Sequence, residues 1–333
     1  MKVHPYSVVI VLALLCGGAS LTLGRYGAFL VYTVAISAIG ALSLNLLIGY
    51  CGQISFAHGA LLGVGAYVAG NLGNAGGDLL SILGAGMAAS LVSMLIGLPA
   101  MRLSGLYFAI ATLAAQAILE YLFKILEPLT NGVSGLLVKP LTVIGFAVTT
   151  DQGYAALSIL CLAITWSVLS WLMRTNLGRA FLIVRESEIV ARGMGIDVAH
   201  TKMSAFAISG FFVGVAGALM GFSARLAHPE AFGLSLSVDY TAMIIVGGLG
   251  SQIGPLIGAA FVTLLPEIIQ RAGEFLHIAD LTFALRELVF GVLIIVFLVF
   301  EPRGLAALVL RLRFARFRKT DEISKNAFPK KAI

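Results

Sequence analysis

Long apolar runs recur along almost the whole chain and leave few folds open to it. A helix that crosses a bilayer needs about 20 mainly apolar residues. Several runs are shorter and rich in glycine, and because backbone in lipid must satisfy its own hydrogen bonds, these are expected to be half-helices packed inside the protein. We therefore predict an all-α polytopic transmembrane helical bundle of about ten spans, including short broken helices. The predicted spans are Val8–Leu23, Ala28–Ile48, Phe56–Leu72, Leu79–Leu98, Leu106–Leu126, Tyr154–Met173, Met203–Ser223, Tyr240–Leu249, Pro255–Ile269 and Phe283–Phe300.

The composition excludes the soluble classes of protein. Of 333 residues, 59% are hydrophobic and only 11% are Asp, Glu, Lys or Arg, whereas soluble domains carry about 25% charged residues. A soluble globule of this length could not hide so much apolar surface, which excludes a soluble enzyme, a nucleic-acid-binding domain and a disordered chain. Cys16, Cys51 and Cys161 show no CxxC or Cys/His spacing, which argues against a disulfide framework or a zinc site.

The distribution of basic residues predicts the orientation. Ten spans place both termini on one side, and if that side is the cytoplasm, the inner segments hold 16 of the 22 Lys and Arg residues, as the positive-inside rule requires. We predict cytoplasmic termini, with the first apolar run kept as a helix rather than cleaved as a signal peptide. Residues 1–303 would form the transmembrane domain, with an internal loop at 174–202. Residues 304–333 would form a basic cytoplasmic tail that contacts lipid headgroups.

The sequence contains no nucleotide-binding loop and no common hydrolase motif. It contains no Gly-Lys dipeptide, so it has no phosphate loop in which backbone amides and a lysine hold a nucleotide. HExxH and GxSxG patterns are also absent, and we predict no enzyme activity, no cofactor and no metal. The acidic residues of the apolar region lie toward the ends of predicted spans, where charges favour the interface; these residues are Glu120, Asp239, Glu267 and Glu287. A chain without charge at mid-membrane is a poor candidate for proton- or sodium-coupled transport.

The segment Asn45–Gly59 combines glycines, which permit unwinding, with polar side chains that supply donors and acceptors. These side chains are Gln53, Ser55 and His58. An unwound segment can expose backbone groups to a buried transport path, or it can be a tight turn whose polar groups cap the flanking helices; the spacing leaves both open. A second glycine-rich break begins at Gly247, about 200 residues further on, as it would if the chain had two related halves.

Glycines also recur at helical spacing within the span Met203–Ser223. They are Gly210, Gly214, Gly217 and Gly221. Small residues in one stripe let membrane helices approach closely, so this stripe predicts a packing face and says nothing about substrate.

The internal loop has the pattern of one or two short amphipathic helices. Gly178 breaks the exit from the preceding span, and Gly193 and Gly195 are natural helix stops. Glu186 and Glu188 suit a helix start. An apolar edge would be formed by Ile189, Val190 and Met194. Such a helix pair can dock a soluble partner or lie on the lipid surface, and the residues alone do not separate these roles.

Together these segments resemble the membrane permeases of ABC importers for branched-chain amino acids, in a family that also includes ribose-type sugar and urea permeases. The matching segments occur in family order, with Cys51 in place of an expected alanine. They are Asn45–Gly59, Gly105–Ala114, Leu129–Leu136, Gly178–Asp197, Val246–Ser251 and Glu301–Leu305.

The resemblance implies a heteromeric importer in the bacterial inner membrane. A second permease would pair with this chain, two ATPase subunits would dock on the cytoplasmic side, and a periplasmic binding protein would deliver Leu, Ile or Val. The implied ATPase-coupling residues are Gly178, Arg179, Glu186, Glu188, Ile189 and Gly195. The residues expected along the path, all in matching segments, are Gln53, Ser55, His58, Tyr107 and Thr112. The alternatives are a urea or short-amide permease of the same family and a stand-alone secondary transporter.

Overall fold

A computed structural model of the chain describes residues 24–76, 79–103, 105–143, 146–275, 291–292, 295 and 304–306. The longer helices are α1 (Gly24–Asn45), α2 (His58–Asn74), α3 (Leu80–Gly97), α4 (Leu106–Ile125), α6 (Asp151–Leu172), α9 (Val198–Ala224), α10 (Leu234–Gly247) and α11 (Gly254–Phe275). The shorter helices are α5 (Glu127–Thr130), α7 (Asn176–Glu186) and α8 (Glu188–Gly193). A π-helical turn follows α1 at Leu46–Tyr50, and 3₁₀ turns lie at Leu98–Met101, Gly132–Ser134 and Pro229–Phe232.

Strands are minimal among the described residues. Each has two residues: β1 (Leu136–Leu137), β2 (Thr142–Val143), β3 (Phe146–Ala147) and β4 (Leu226–Ala227). Antiparallel pairing joins β1 to β4 and β2 to β3. We call the end of the bundle with β1 and β4 the sheet end, and the end with α7 and α8 the loop end.

The predicted all-α polytopic membrane bundle is confirmed. Within the described part of the chain, six helical segments are long and apolar enough to cross a membrane, namely Gly24–Tyr50, Leu80–Met101, Leu106–Ile125, Asp151–Leu172, Val198–Ala224 and Pro229–Gly247. Two further predicted spans coincide with the helices α2 and α11. The predicted spans Val8–Leu23 and Phe283–Phe300, like the tail 304–333, lie wholly or mostly outside the described residues, so the total of ten stays a prediction.

Helix α9 forms the centre of the bundle, and its glycines are the packing face that the sequence predicts. Gly210 and Gly214 lie against α3, whereas Gly217 and Gly221 lie against α2. A Cβ atom at Gly217 would overlap the carbonyl oxygen of Leu62. The helix backbones are therefore in direct contact, which only glycine permits.

Helices α2 and α10 both begin inside the bundle. Near its start, α2 contacts Gly217 of α9. Gly217 lies about 19 residues, or roughly 28 Å, from the first residue of α9, so α2 starts far from the loop end, where α9 begins. A Cβ atom at Gly59 would lie 2.7 Å from the carbonyl oxygen of Gly233, which precedes α10. From this shared level α2 runs to the sheet end, where Gly70 meets Leu136, and α10 runs to the loop end. The two helices therefore start close together inside the bundle and run in opposite directions from there.

The start of α10 differs from the predicted span Tyr240–Leu249. The helix begins at Leu234 and ends at Gly247. Its first turns were missed because they carry polar residues, among them Ser235, Ser237 and Asp239, which interrupt the apolar run.

Candidate functional site

The first turn of α2 is capped by side chains from two other helices. The acceptors are Thr112 and Gln116 of α4 and Ser237 of α10. Thr112 accepts the amide of Phe56 at 3.0 Å, and Gln116 accepts that of Ala60 at 2.8 Å. Ser237 accepts the amide of Gly59 at 2.7 Å. The free amides of a helix start need such partners where water is excluded. We call these three side chains, with the starts of α2 and α10, the helix-start cluster.

Gln116 binds the starts of both helices of this cluster. Its Nε2 donates to the carbonyl oxygen of Phe232 at 2.8 Å, and its Oε1 also receives the hydroxyl of Ser237 at 3.3 Å. The positive ends of two helix dipoles meet here, and the acceptor oxygens offset them. Glu120, which pairs with Lys124 at 3.1 Å, adds negative charge close to the start of α10.

The five predicted path residues do not all lie together. The buried ones are Gln53, Ser55, His58 and Thr112. The His58 ring lies 5.0 Å from the ring of Tyr240, and its Nε2 has no hydrogen-bond partner among the described residues. By contrast, Tyr107 is 76% exposed on the outside of α4. The transport role of these residues stays a prediction.

The two glycine-rich breaks contact each other at the loop end. Asn45 accepts the amide of Gly250 at 2.9 Å and donates to the carbonyl oxygen of Ser251 at 2.9 Å. Gly49 is so close that a Cβ atom there would lie 2.6 Å from the Gly250 nitrogen. We call Asn45 with residues 49–52 and 248–251 the glycine junction. Breaks that the sequence separates by about 200 residues thus form one structural unit.

Two further chain segments reach the glycine junction. Nη1 of Arg185, in the last turn of α7, donates to the carbonyl oxygen of Gly49. Gly304 has a φ of 75°, and a Cβ atom there would lie 2.6 Å from the nitrogen of Gly248. The matching segments near residues 45, 185, 250 and 304 therefore all meet at the glycine junction.

The internal loop folds as two capped helices. The hydroxyls of Thr175 and Ser187 accept amides at the starts of α7 and α8, and Asp197 caps α9. Gly195 has a φ of 78°, the left-handed geometry of a helix stop. Gly178 is buried, and a Cβ atom there would lie 2.5 Å from the carbonyl oxygen of Leu172, so the turn out of α6 has no room for a side chain.

The remaining coupling residues point in different directions. Arg179 is exposed. Glu186 ends α7 and does not start a helix as expected, because Ser187 supplies the cap of α8. An exposed apolar edge on and just after α8 is formed by Ile189 at 84%, Val190 at 55% and Met194 at 67% exposure. Which of these residues an ATPase subunit contacts is untested.

Glu188 turns inward and binds a buried lysine. Nζ of Lys202 lies 2.6 Å from Oε1 of Glu188 and donates to the carbonyl oxygen of Ala100 at 2.8 Å. Lys202 is only 1% exposed. This cation therefore joins α8, the 3₁₀ turn after α3 and the start of α9.

The match to a family of known proteins covers most of the chain. A family model described as "Branched-chain amino acid transport system / permease component" matches residues 27–298. The chain belongs to this permease family. No solved structure matches the chain significantly.

Relatives within the permease family differ in their named substrates. The high-affinity branched-chain amino acid transport system permease protein LivM of Escherichia coli K12 is 28% identical over 299 residues, covering 81% of this chain and 67% of its own. The autoinducer 2 import system permease protein LsrC of Escherichia coli O157:H7 is 26% identical over 282 residues, covering 80% and 77%. The ribose import permease protein RbsC of Haemophilus influenzae is 32% identical over 109 residues, covering 31% and 32%.

Sequence reasoning missed several residues of this permease. Gln116, Ser237 and Lys202 are among them. Thr112 and Gln116 stand one helical turn apart, and Glu120 and Lys124 follow at the same spacing, which is a signal for a polar face on this helix. The expectation that acidic residues lie toward span ends is wrong for Asp239, the sixth residue of the 14-residue α10. In the described part of the chain, no group of three His, Cys, Asp or Glu residues could hold a metal ion.

Proposed function

We propose that the chain is a permease subunit of an ATP-driven importer that carries Leu, Ile and Val across the bacterial inner membrane. Family membership supports the transport role, and the similarity to LivM over 81% of the chain supports branched-chain amino acids. A second permease would complete the path, and a periplasmic binding protein would deliver the substrate. A urea or short-amide substrate remains the alternative within the family.

The proposal is supported chiefly by the two sides of the α7–α8 loop. Its inner side is fixed to the bundle by Arg185 and by the pair of Glu188 with Lys202. Its outer side exposes an apolar edge with Ile189 at the centre. An element that is anchored on one side and exposes an apolar edge on the other fits a protein contact. Two ATPase subunits would dock on this loop and on its counterpart in the second permease, with the loop end and both termini in the cytoplasm.

A stand-alone secondary transporter is the competing class. Asp239 in the middle of α10 is the observation that favours it, because an acidic residue within a span often marks an ion pathway. The importer is preferred because the chain belongs to a permease family described as one component of a transport system.

Uptake assays separate these two classes. We expect [³H]leucine uptake in proteoliposomes only when the chain is combined with the second permease, the ATPase subunits, the loaded binding protein and ATP. Excess isoleucine or valine should compete, and urea should not. Leucine accumulation by the chain alone under a proton gradient, abolished by Asp239→Asn, would establish the secondary transporter instead.

The variant Ile189→Asp should weaken ATPase docking by about tenfold or more, because a carboxylate would replace the most exposed apolar side chain of the edge. The readout is co-purification of the ATPase subunits, normalised to the membrane abundance of this chain. Changes at Glu188 are unsuitable, since they would also disturb Lys202.

Val133→Asp provides the matched control for this docking test. Val133 is also apolar and 65% exposed, but it lies near the sheet end, so docking should be unchanged. Normal docking of the Ile189 variant would assign the loop to the lipid surface rather than to an ATPase.

A further inference from the structure

We infer that Arg185 is the positioning residue through which the α7–α8 loop controls the glycine junction. The inference rests on the proposed function, because it gives Arg185 a role in linking ATP hydrolysis to transport. Contacts of the described residues join the loop, the two breaks and the helix-start cluster.

The Arg185 side chain lies across both breaks at once. Its Nη1 donates to the carbonyl oxygen of Gly49 and lies 2.8 Å from where a Cβ atom of Gly250 would be. Its Cγ lies 3.1 Å from where a Cβ atom of Gly52 would be. Gly52 and Gly250 both have a φ of 72°, so glycine is favoured here by backbone geometry and by the space that the arginine occupies.

The carbonyl group of Gly49 needs this donor because the helix ends around it. The amide of Gln53 donates to Leu47, and the amide of Cys51 donates to Leu46, so these two amides do not serve Gly49. A buried carbonyl without a donor is unfavourable, and a charged donor forms a stronger hydrogen bond than a neutral one. Arg185 therefore stabilises this particular geometry of the break.

Two segments connect the glycine junction to the helix-start cluster. One is α10, whose 14 residues span about 21 Å. The other is the non-helical segment Cys51–Ala57, whose seven residues can reach at most about 25 Å. Both have one end at the junction and the other at the starts of α2 and α10. A displacement of the junction therefore reaches the side chains of the helix-start cluster through a contiguous route.

The other strong contact of the loop makes no hydrogen bond to the breaks among the described residues, although Lys202 and Glu188 both lie close enough to Cys51 to act on it electrostatically. Lys202 joins Glu188 to the 3₁₀ turn after α3 and to the start of α9, which holds α8 against the bundle. Among the described residues of the loop, Arg185 alone has a side chain bonded to a break. Its role should therefore be separable from assembly.

The test compares Arg185→Gln with wild type in the complete transporter. We expect normal membrane abundance, ATPase subunit co-purification within twofold of wild type, and ATP hydrolysis within twofold. Leucine uptake should fall by about tenfold or more, so the ATP hydrolysed per leucine imported should rise by the same factor. Arg174→Gln is the matched control, because Arg174 is exposed at the same end of the bundle and its loss should change neither quantity.

A second variant keeps the result interpretable. Arg185→Lys retains a cationic donor but not the second guanidinium nitrogen. We expect it to assemble normally and to import leucine at a rate between those of wild type and Arg185→Gln. The inference is overturned if Arg185→Gln imports leucine at the wild-type rate, or if both variants lose assembly, hydrolysis and uptake in parallel, which is the result of a purely structural role. Failure of the wild-type complex to import leucine with ATP would instead reject the proposed function.

Discussion

The substitution Gly217→Val should remove most of the folded chain from the membrane. A side chain at this position would overlap the backbone of α2 at Leu62, and backbone cannot move aside as the tip of a side chain can. Overpacking typically costs about 1–3 kcal/mol, and here α9 and α2 would also lose their close contact along the glycine stripe. We expect a loss of more than about 3 kcal/mol in the free energy of unfolding.

Membrane abundance and the melting temperature in detergent measure this effect. The matched control is Gly193→Val, because a Cβ atom at Gly193 would meet no atom within 4 Å, and both quantities should stay at the wild-type level. If the Gly217 variant accumulated and melted like wild type, α9 and α2 would not pack backbone to backbone as described.

Lys202→Met should be the next most damaging change, at about 2–4 kcal/mol. Methionine keeps much of the side-chain volume but cannot donate a hydrogen bond. The carboxylate of Glu188, whose side chain is 28% exposed, and the carbonyl oxygen of Ala100 would both lose their donor. Glu188 would keep only the exposed Arg192, whose Nη2 lies 3.8 Å from Oε2, so its charge would be poorly compensated. The melting temperature should therefore fall.

A double-mutant cycle with Glu188→Gln isolates this interaction. Because the double variant buries no unpaired charge, it should be more stable than Lys202→Met alone. Equal stability of the single and double variants would show that the carboxylate does not depend on Lys202.

Most of the helical architecture could be predicted because its signals are local. Apolar run length locates the spans, and the regular spacing of Gly210, Gly214 and Gly217 identifies the contact face of α9. The stop at Gly195 follows from residue type as well. Prediction was weaker where polar residues interrupt an apolar run, as in the first turns of α10 before Tyr240.

The candidate site could be predicted only in part, because its bonds join distant parts of the chain. Asn45 binds Gly250 across 205 positions, Gln116 binds Phe232 across 116, and Arg185 binds Gly49 across 136. Periodicity cannot reveal such partners, since each residue looks locally like an ordinary cap or surface charge.

The two connections between the glycine junction and the helix-start cluster differ mechanically. A hydrogen-bonded helix resists shortening, so α10 acts as a strut between them. The segment Cys51–Ala57 is not fully extended, because ψ is −11° at Cys51 and 12° at Ala57 and φ is 72° at Gly52, so it can straighten or fold further. A push at the loop end would thus be transmitted about 20 Å into the bundle through α10, while the segment beside it yields and keeps the chain connected.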